Sequence, residues 1–273
     1  MILRAACIQP NAKPDLVANL DEVEHWIREA HADGAGFIAT PENTSGMYPD
    51  RRALLASALP EDGHPAVARF AALAETTGAW LLAGSITIKL TDEKLANRSL
   101  LFSPSGTIVA RYDKIHMFDA DPTDGQAYRE SATFEPGDKA VVADTDFGKV
   151  GLSICYDVRF PALYNALAQG GATLITVPAA FTVPTGKAHW HVLLRARAIE
   201  TGSFVLAPAQ CGEHAGGRQT YGHALIVSPW GAILADAGEQ PGYIMATLDL
   251  DEVTEARRKV PSLEHDRAFI RPV

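Results

Sequence analysis

Three residues in this sequence carry side chains suited to acyl transfer and share an unusual kind of position. Glu42, Lys114 and Cys155 each follow an apolar run with the composition of a strand: GFIAT, TIVARYD and KVGLSI. In folds that alternate strands and helices, sites assemble at the carboxyl ends of strands, because loops converge there above a rigid sheet. A carboxylate, an ammonium and a thiol brought to one place suit attack on a carbonyl carbon. A free thiol of pKa about 8.5 is mostly protonated at neutral pH, so it needs a base, and Glu42 has that chemistry. A cation such as Lys114 favours the thiolate and can hold the oxyanion of a tetrahedral intermediate. The backbone N–H of Tyr156, in the strand-to-helix turn, is a second group for that oxyanion. Each residue alone has a plainer reading: Cys155 as a small buried hydrophobe, Glu42 and Lys114 as solvated loop charges. Shared placement is what joins them.

The elements that must position these residues read as an alternation of strands and helices. A strand opens the chain around Leu3 to Ile8. Leu16, Leu20, Val23, Ile27 and Ala30 then recur at three- and four-residue spacing between Pro14 and Gly34, which predicts a helix. GFIAT is a short strand. A second helix is expected over Pro65–Thr77, with Pro at its start and Gly78 just past its end. AWLLAGSITI, RSLLFS and TIVARY form a block of strands broken by turn signals. KVGLSI leads into Cys155, and a helix runs from near Pro161 to the Gly170–Gly171 pair. TLITVP is a buried strand, and the longest late helix spans about Lys187 to Thr201 with Trp190, Leu193, Leu194 and Ala198 inward. FVLAP, HALIVS, AILA and YIMATL are further strands, and a short helix precedes Pro261. The class is α/β. Periodicity alone does not say whether there is one sheet or two.

Bulk properties narrow the function. The 273 residues are 47% hydrophobic and 21% charged, a globular composition without repeats or low-complexity linkers, read as one domain over residues 1–273. A formal net charge of −9 argues against nucleic acid and anionic membranes as partners. No apolar run is long enough to span a bilayer, and the N-terminus lacks the layout of a signal peptide. Three cysteines, Cys7, Cys155 and Cys211, fit free thiols in a reducing compartment, so a cytoplasmic protein is expected.

At these same residues the sequence resembles the nitrilase superfamily of carbon–nitrogen hydrolases, over almost the whole chain. The matching motifs are PEN around Glu42, RYDKIHMFD around Lys114 and GLSICYDVRFPAL around Cys155. AFTVPTGKAHWHVLLRARAIE, AQCG, TYGHALIVSPWG and TLDLDEV follow in order. The resemblance implies a Glu–Lys–Cys triad at Glu42, Lys114 and Cys155, with Glu130 in YRES positioning the lysine and the substrate. It implies an αββα sandwich, two face-to-face sheets with helices outside, and subunits paired as homodimers or higher homo-oligomers. The implied reaction is hydrolysis of a small-molecule amide through a thioester, with no metal and no organic cofactor. Among branches, AHWHVLLRARAIET, AQCG and YGHALIVSPWG look closest to the deaminated glutathione amidases. Omega-amidases acting on 2-oxoglutaramate are the near alternative, then nitrilases and carbamoylases. The sequence departs from both near branches at PENTSGMYPD. A non-catalytic binding protein with a relict site is the reading of a different class.

Other features carry both a functional and a plainer reading. Asp157 and Arg159 flank the nucleophile turn, and a mutual or nearby salt bridge is the plainer expectation. The functional one is that Arg159 or Arg195 meets a substrate carboxylate. His189 and Trp190 open the long helix close to the site in the resembled fold and are candidates for the pocket. Cys7 reads as a core thiol; Cys211 either lines the pocket rim or fills space. His116, His189 and His223 show no metal-ligand spacing. Asp119 to Glu130 places acids at three calcium-loop positions but has Asp124 where glycine is required, so a mobile loop over the site is the better reading. GLSIC is not a serine-hydrolase elbow.

Overall fold

A computed structural model describes residues 1–122, 127–270 and 272. The first half runs β1 (Ile2–Gln9), α1 (Leu16–Ala32), β2 (Phe37–Ala39), α2 (Arg51–Ser57), α3 (Pro65–Thr77), β3 (Trp80–Lys89), β4 (Leu95–Phe102) and β5 (Ile108–Asp113). A two-stranded ribbon, β6 (Asp119–Ala120) and β7 (Tyr128–Arg129), separates it from the second half. There follow β8 (Val141–Thr145), β9 (Gly148–Leu152), α4 (Pro161–Gln169), β10 (Leu174–Thr176), α5 (Val183–Thr201) and β11 (Phe204–Ala207). The chain closes with β12 (Cys211–Glu213), β13 (Gln219–Tyr221), β14 (Leu225–Val227), β15 (Ile233–Asp236), β16 (Gly242–Asp249) and α6 (Asp251–Lys259).

These strands form two six-stranded sheets, ordered β16-β1-β2-β3-β4-β5 and β15-β14-β11-β10-β9-β8. Strand periodicity explains how they stack, because successive side chains leave opposite faces. In β1, Leu3, Ala5 and Cys7 join the apolar layer shared with the second sheet, while Ala6 and Ile8 join the layer under α1 and α3. Phe37 and Ala39 against Ile38, and Trp80 and Leu82 against Leu81 and Ala83, divide in the same way. Both faces are covered, so the strands read as continuous apolar runs and not as alternations. The second sheet buries Val150, Leu152 and Leu174 in the shared layer, which also takes in Leu163, Leu167, Trp190 and Leu194 of α4 and α5. The expected αββα sandwich is the observed fold.

Topology places the site. β1, β2 and β3 run parallel, and β5 is antiparallel to β4, itself antiparallel to β3. The carboxyl ends of β2 and β5 therefore open on one edge. β9, β10 and β11 are parallel in the other sheet. Glu42 and Lys114 come from the first sheet's edge and Cys155 from the second's.

The sequence reading lacked β8 and the β6–β7 and β12–β13 ribbons, and two helices differ from it. α5 begins one turn before Lys187, with Pro184 in its first turn, where the missing N–H would have had no intrahelical partner. α2 was not anticipated: it buries no residue and starts on an Asp50 cap that accepts from the Ala53 N–H at 2.8 Å. Asp124, on which the calcium-loop and mobile-loop readings turned, lies outside the described residues. The flanks of that segment are strands, not the helices a calcium loop needs.

Candidate active site

Glu42 is held by an irregularity in β3, where pairing with β4 shifts between Ala83 and Ile86. Gly84 lets the loop after β2 lie directly on the strand: a Cβ there would stand 1.8 Å from the Thr40 carbonyl oxygen. The Ser85 N–H donates to the Pro41 carbonyl, and the Ser85 hydroxyl accepts from the Asn43 N–H. Asn43 takes a left-handed φ of 57°, tolerated by this residue type, and turns Glu42 inward. From the other sheet, the Gln210 side chain donates to the Glu42 carbonyl at 3.1 Å.

The Glu42 carboxylate is buried and fully engaged. Oε1 accepts from Lys114 Nζ and from Asn97 Nδ2, both at 2.9 Å, and Oε2 accepts from the Ala180 N–H at 2.9 Å. Lys114 is 2% exposed, and its ammonium also meets both oxygens of Glu130, at 3.0 and 2.8 Å. Glu130 accepts further from the Phe118 N–H and from Asn97. A buried ammonium between two carboxylates, each with additional donors, meets the condition under which buried charge is tolerated.

Cys155 stands at the start of a single turn of 3-10 helix (Cys155–Arg159) with φ of +51°. A non-glycine residue with that φ is strained, and such strain persists only where surroundings fix it. Here the Cys155 N–H donates to the Pro178 carbonyl at 2.9 Å. Asp157, fully buried, closes the turn by accepting from the Ile154 N–H, the Tyr112 hydroxyl and the His116 N–H, with the His116 ring 2.7 Å away.

Electrostatics sets the resting protonation. Burial by itself would raise the Glu42 pKa, but the Lys114 ammonium holds it below the ordinary 4.5. Burial, and then the Glu42 charge, push the Cys155 thiol well above 9.0, against the pull of Lys114. Lys114 keeps its proton despite burial because Glu130 and Glu42 raise its pKa. The resting pair is thus a thiol beside a carboxylate that can take its proton.

Glu42, Lys114, Glu130, Cys155 and Tyr156 all line one cavity of about 380 Å³. The remaining expectations fare differently. Trp190 does not reach the cavity: it is fully buried in the core, tilted against Phe181, with its N–H donating to the His223 carbonyl at 2.8 Å. Helical spacing put it on the inner stripe, and that stripe faces the sheet. His189 is exposed, 3.3 Å from the Arg159 guanidinium, which lies beside the Tyr156 and Phe181 rings and outside the cavity lining. Of the mutual or nearby bridge expected at this turn, the nearby contact is found: Asp157 meets His116 and Tyr112, and not Arg159. Arg195 donates to the Gly231 carbonyl. Cys211 fills space, with burial pushing its thiol up to about 12.

Asn97, Gln210 and Arg218 were not singled out from the sequence. Asn97 sits within β4 and Gln210 beyond β11, with no turn or charge signal to mark them. Away from the cavity, the His191 and His223 rings hydrogen-bond the Asp236 carboxylate, at 3.1 and 2.9 Å. Their placement on α5, β15 and the turn before β14 hides the grouping from sequence spacing.

The sandwich, with a thiol and a buried carboxylate–ammonium pair over one cavity, defines an enzyme that hydrolyses carbon–nitrogen bonds. Residues 4–258 match the carbon-nitrogen hydrolase family, and the chain belongs to it. It is 44% identical over 271 residues to a deaminated glutathione amidase of Synechocystis, covering 97% of this chain and 98% of that protein. It is 38% identical to the deaminated glutathione amidase of Homo sapiens, over 97% and 82% of the two chains. Saccharomyces cerevisiae Nit3, a member of branch 10 of the nitrilase superfamily, superposes with a TM-score of 0.86 at 30% identity, covering 95% and 94%. A glutamate-to-glutamine variant of an amidase from Nesterenkonia, TM-score 0.80 at 28% identity over 95% and 98%, shows Michael addition of acrylamide at its active-site cysteine. The chain is accordingly an amide-hydrolysing enzyme.

Proposed function

We propose that this enzyme hydrolyses the amide bond of deaminated glutathione, with Cys155 as nucleophile. The observation that carries the chemistry is the buried Glu42–Lys114–Glu130 array facing the same cavity as Cys155. The Cys155 sulfur attacks the carbonyl carbon while Glu42 takes the thiol proton. Lys114 Nζ and the Tyr156 N–H hold the oxyanion, and Glu130 and Asn97 keep the lysine in place. On collapse the C–N bond breaks and the amine leaves with the proton returned by Glu42. Glu42 then deprotonates a water, which attacks the thioester. Cys155 departs as thiol and the acid is released.

The substrate reading rests on the two relatives of that name, aligned over nearly this whole chain. Residues 1–273 act as one catalytic domain, free thiols at all three cysteines fit the cytoplasm, and no described helix is long and apolar enough to cross a membrane. Homodimer formation is supported by the apolar side chains of Val192 and Ile199 on α5 and nearby Trp230, all more than half exposed.

The test is 2-oxoglutarate release from deaminated glutathione and, separately, from 2-oxoglutaramate. Faster release from the glutathione derivative is expected. Activity confined to 2-oxoglutaramate would keep the chemistry and replace the substrate; no release from either would overturn the reading.

A further inference from the structure

We infer that Arg218 is the residue that binds a carboxylate of the substrate, the role for which the sequence suggested Arg159 or Arg195. The inference deepens the substrate reading above and rests on it for the identity of the anion. Among the described residues that line the cavity, Lys114, Arg51, Arg129 and Arg218 outnumber Glu42, Asp50 and Glu130 by one. This excess sits in a chain whose net charge is −9, so the cavity differs in sign from the molecule around it.

Two of the four cations are ion-paired, and a third, Arg51, directs its donors to neutral oxygens. Lys114 is spent on Glu42 and Glu130. Arg129 pairs with Asp121 at 2.9 Å. Arg51 gives Nε to the Thr133 hydroxyl and Nη2 to the Glu93 carbonyl. Arg218 is different. Its Nη2 donates to the Ala180 carbonyl at 2.8 Å, its Nε is buried without a partner, and no carboxylate of the described residues lies within ion-pair distance. A buried guanidinium donor without an acceptor is costly, and a planar carboxylate is the acceptor that matches its geometry.

Arg218 is also held in place. Its carbonyl accepts from the His214 N–H at 2.8 Å, and the buried His214 ring bridges the Ala12 carbonyl and the Thr220 hydroxyl. Burial lowers the His214 pKa to about 4, so this anchor stays neutral at working pH. Gly216, at φ +77°, packs where a Cβ would meet the Pro49 carbonyl oxygen at 2.7 Å. The guanidinium rests 5.5 Å from the Tyr128 ring centroid, a cation–π contact that orients it without neutralising it. The residue whose carbonyl it grips, Ala180, is the one whose N–H fixes Glu42, so substrate charge and general base are held by one segment.

The experiment compares Arg218→Met and Arg218→Lys with wild type on amides that differ by one carboxylate. For Arg218→Met, KM for glutaramate should rise roughly ten- to a hundredfold, as expected for loss of a charge-assisted pair. Butyramide, which lacks the carboxylate, should lose only what the released Ala180 contact costs, so the loss on glutaramate should exceed it by about tenfold or more, and Arg218→Lys should recover part of that difference. Equal losses on both amides would show a structural role and overturn the inference. The glutaramate carboxylate lies on the acyl side, so 2-oxoglutaramate should share the loss; a loss confined to deaminated glutathione would place the anion on the leaving group and overturn the inference. Calorimetric binding of deaminated glutathione to Cys155→Ala, with and without Arg218→Met, reads the same effect without turnover. Undiminished binding would refute the role of Arg218. Failure of deaminated glutathione to bind at all would remove the substrate reading alone, and the ratio of glutaramate to butyramide would still decide on Arg218.

Discussion

The two sheets meet over the cavity and contribute to it by different physical means. The first sheet, with the ribbon that follows it, supplies charge. Glu42 and Lys114 are buried, Glu130 is partly so, and they satisfy one another, with Asn97 linking the two carboxylates. The second sheet supplies a neutral thiol on a strained backbone, with Asp157 closing the turn from beneath. On the first side, removing the lysine leaves two carboxylates without their cation. On the second, removing the reactive atom leaves the scaffold intact. Preorganised charge and a preorganised thiol carry separate stability risks, although they face one cavity.

That contrast can be broken or sharpened by substitution, starting with the largest effect. Glu42→Gln should lower kcat about 10²–10⁴-fold by removing the base, as steady-state kinetics would report. Lys114 keeps Glu130 as partner, so this variant should fold. The carboxylate pKa is lowered in the folded state, so its contribution to stability is full above pH 4.5 and is lost as pH falls below it. Acid unfolding of wild type but not of Glu42→Gln should show that component. A wild-type rate in Glu42→Gln would remove the base assignment.

Lys114→Met should be the variant that damages folding. It strands the buried Glu42 carboxylate and the partly buried Glu130, and should cost about 3–5 kcal/mol in urea unfolding, besides abolishing activity. A loss under 1 kcal/mol would mean the charges on the first sheet are better hydrated than the geometry implies. Asp157→Asn should cost less, about 1–3 kcal/mol, because the amide can replace only part of the acceptor set at Ile154, Tyr112 and His116. Its kcat should fall with it, since the turn positions Cys155; unchanged kcat would show that Pro178 alone fixes the nucleophile. Cys211→Ala should change kcat by less than about twofold and stability by about 1 kcal/mol, as for a small buried hydrophobe.

Much of this was legible in the sequence where local rules bind tightly. α3 was read to the residue because Pro65 opens it and Gly78, left-handed at φ 67°, ends it. Glu42, Lys114 and Cys155 were legible because each stands just past an apolar strand. α2 was not, since a seven-residue exposed helix leaves no periodic stripe. Gln210 and Arg218 lie in loops of the second half and reach Glu42 or its neighbour Ala180 from far along the chain, a relation that only the sandwich creates. Trp190 shows the opposite failure: its helical face was right, but a core face was taken for a pocket wall. For Asp157 the sequence left Arg159 and a nearby partner open, and the fold pairs it with His116 and Tyr112, which lie 41 and 45 residues away.

The central claim is that Cys155 performs the chemistry without holding the fold, and its most direct test is kcat/KM of Cys155→Ala on an amide substrate beside its melting curve. The account predicts a loss of at least about a thousandfold with Tm shifted by no more than a few degrees. A variant that melts normally and retains a near wild-type rate would contradict it.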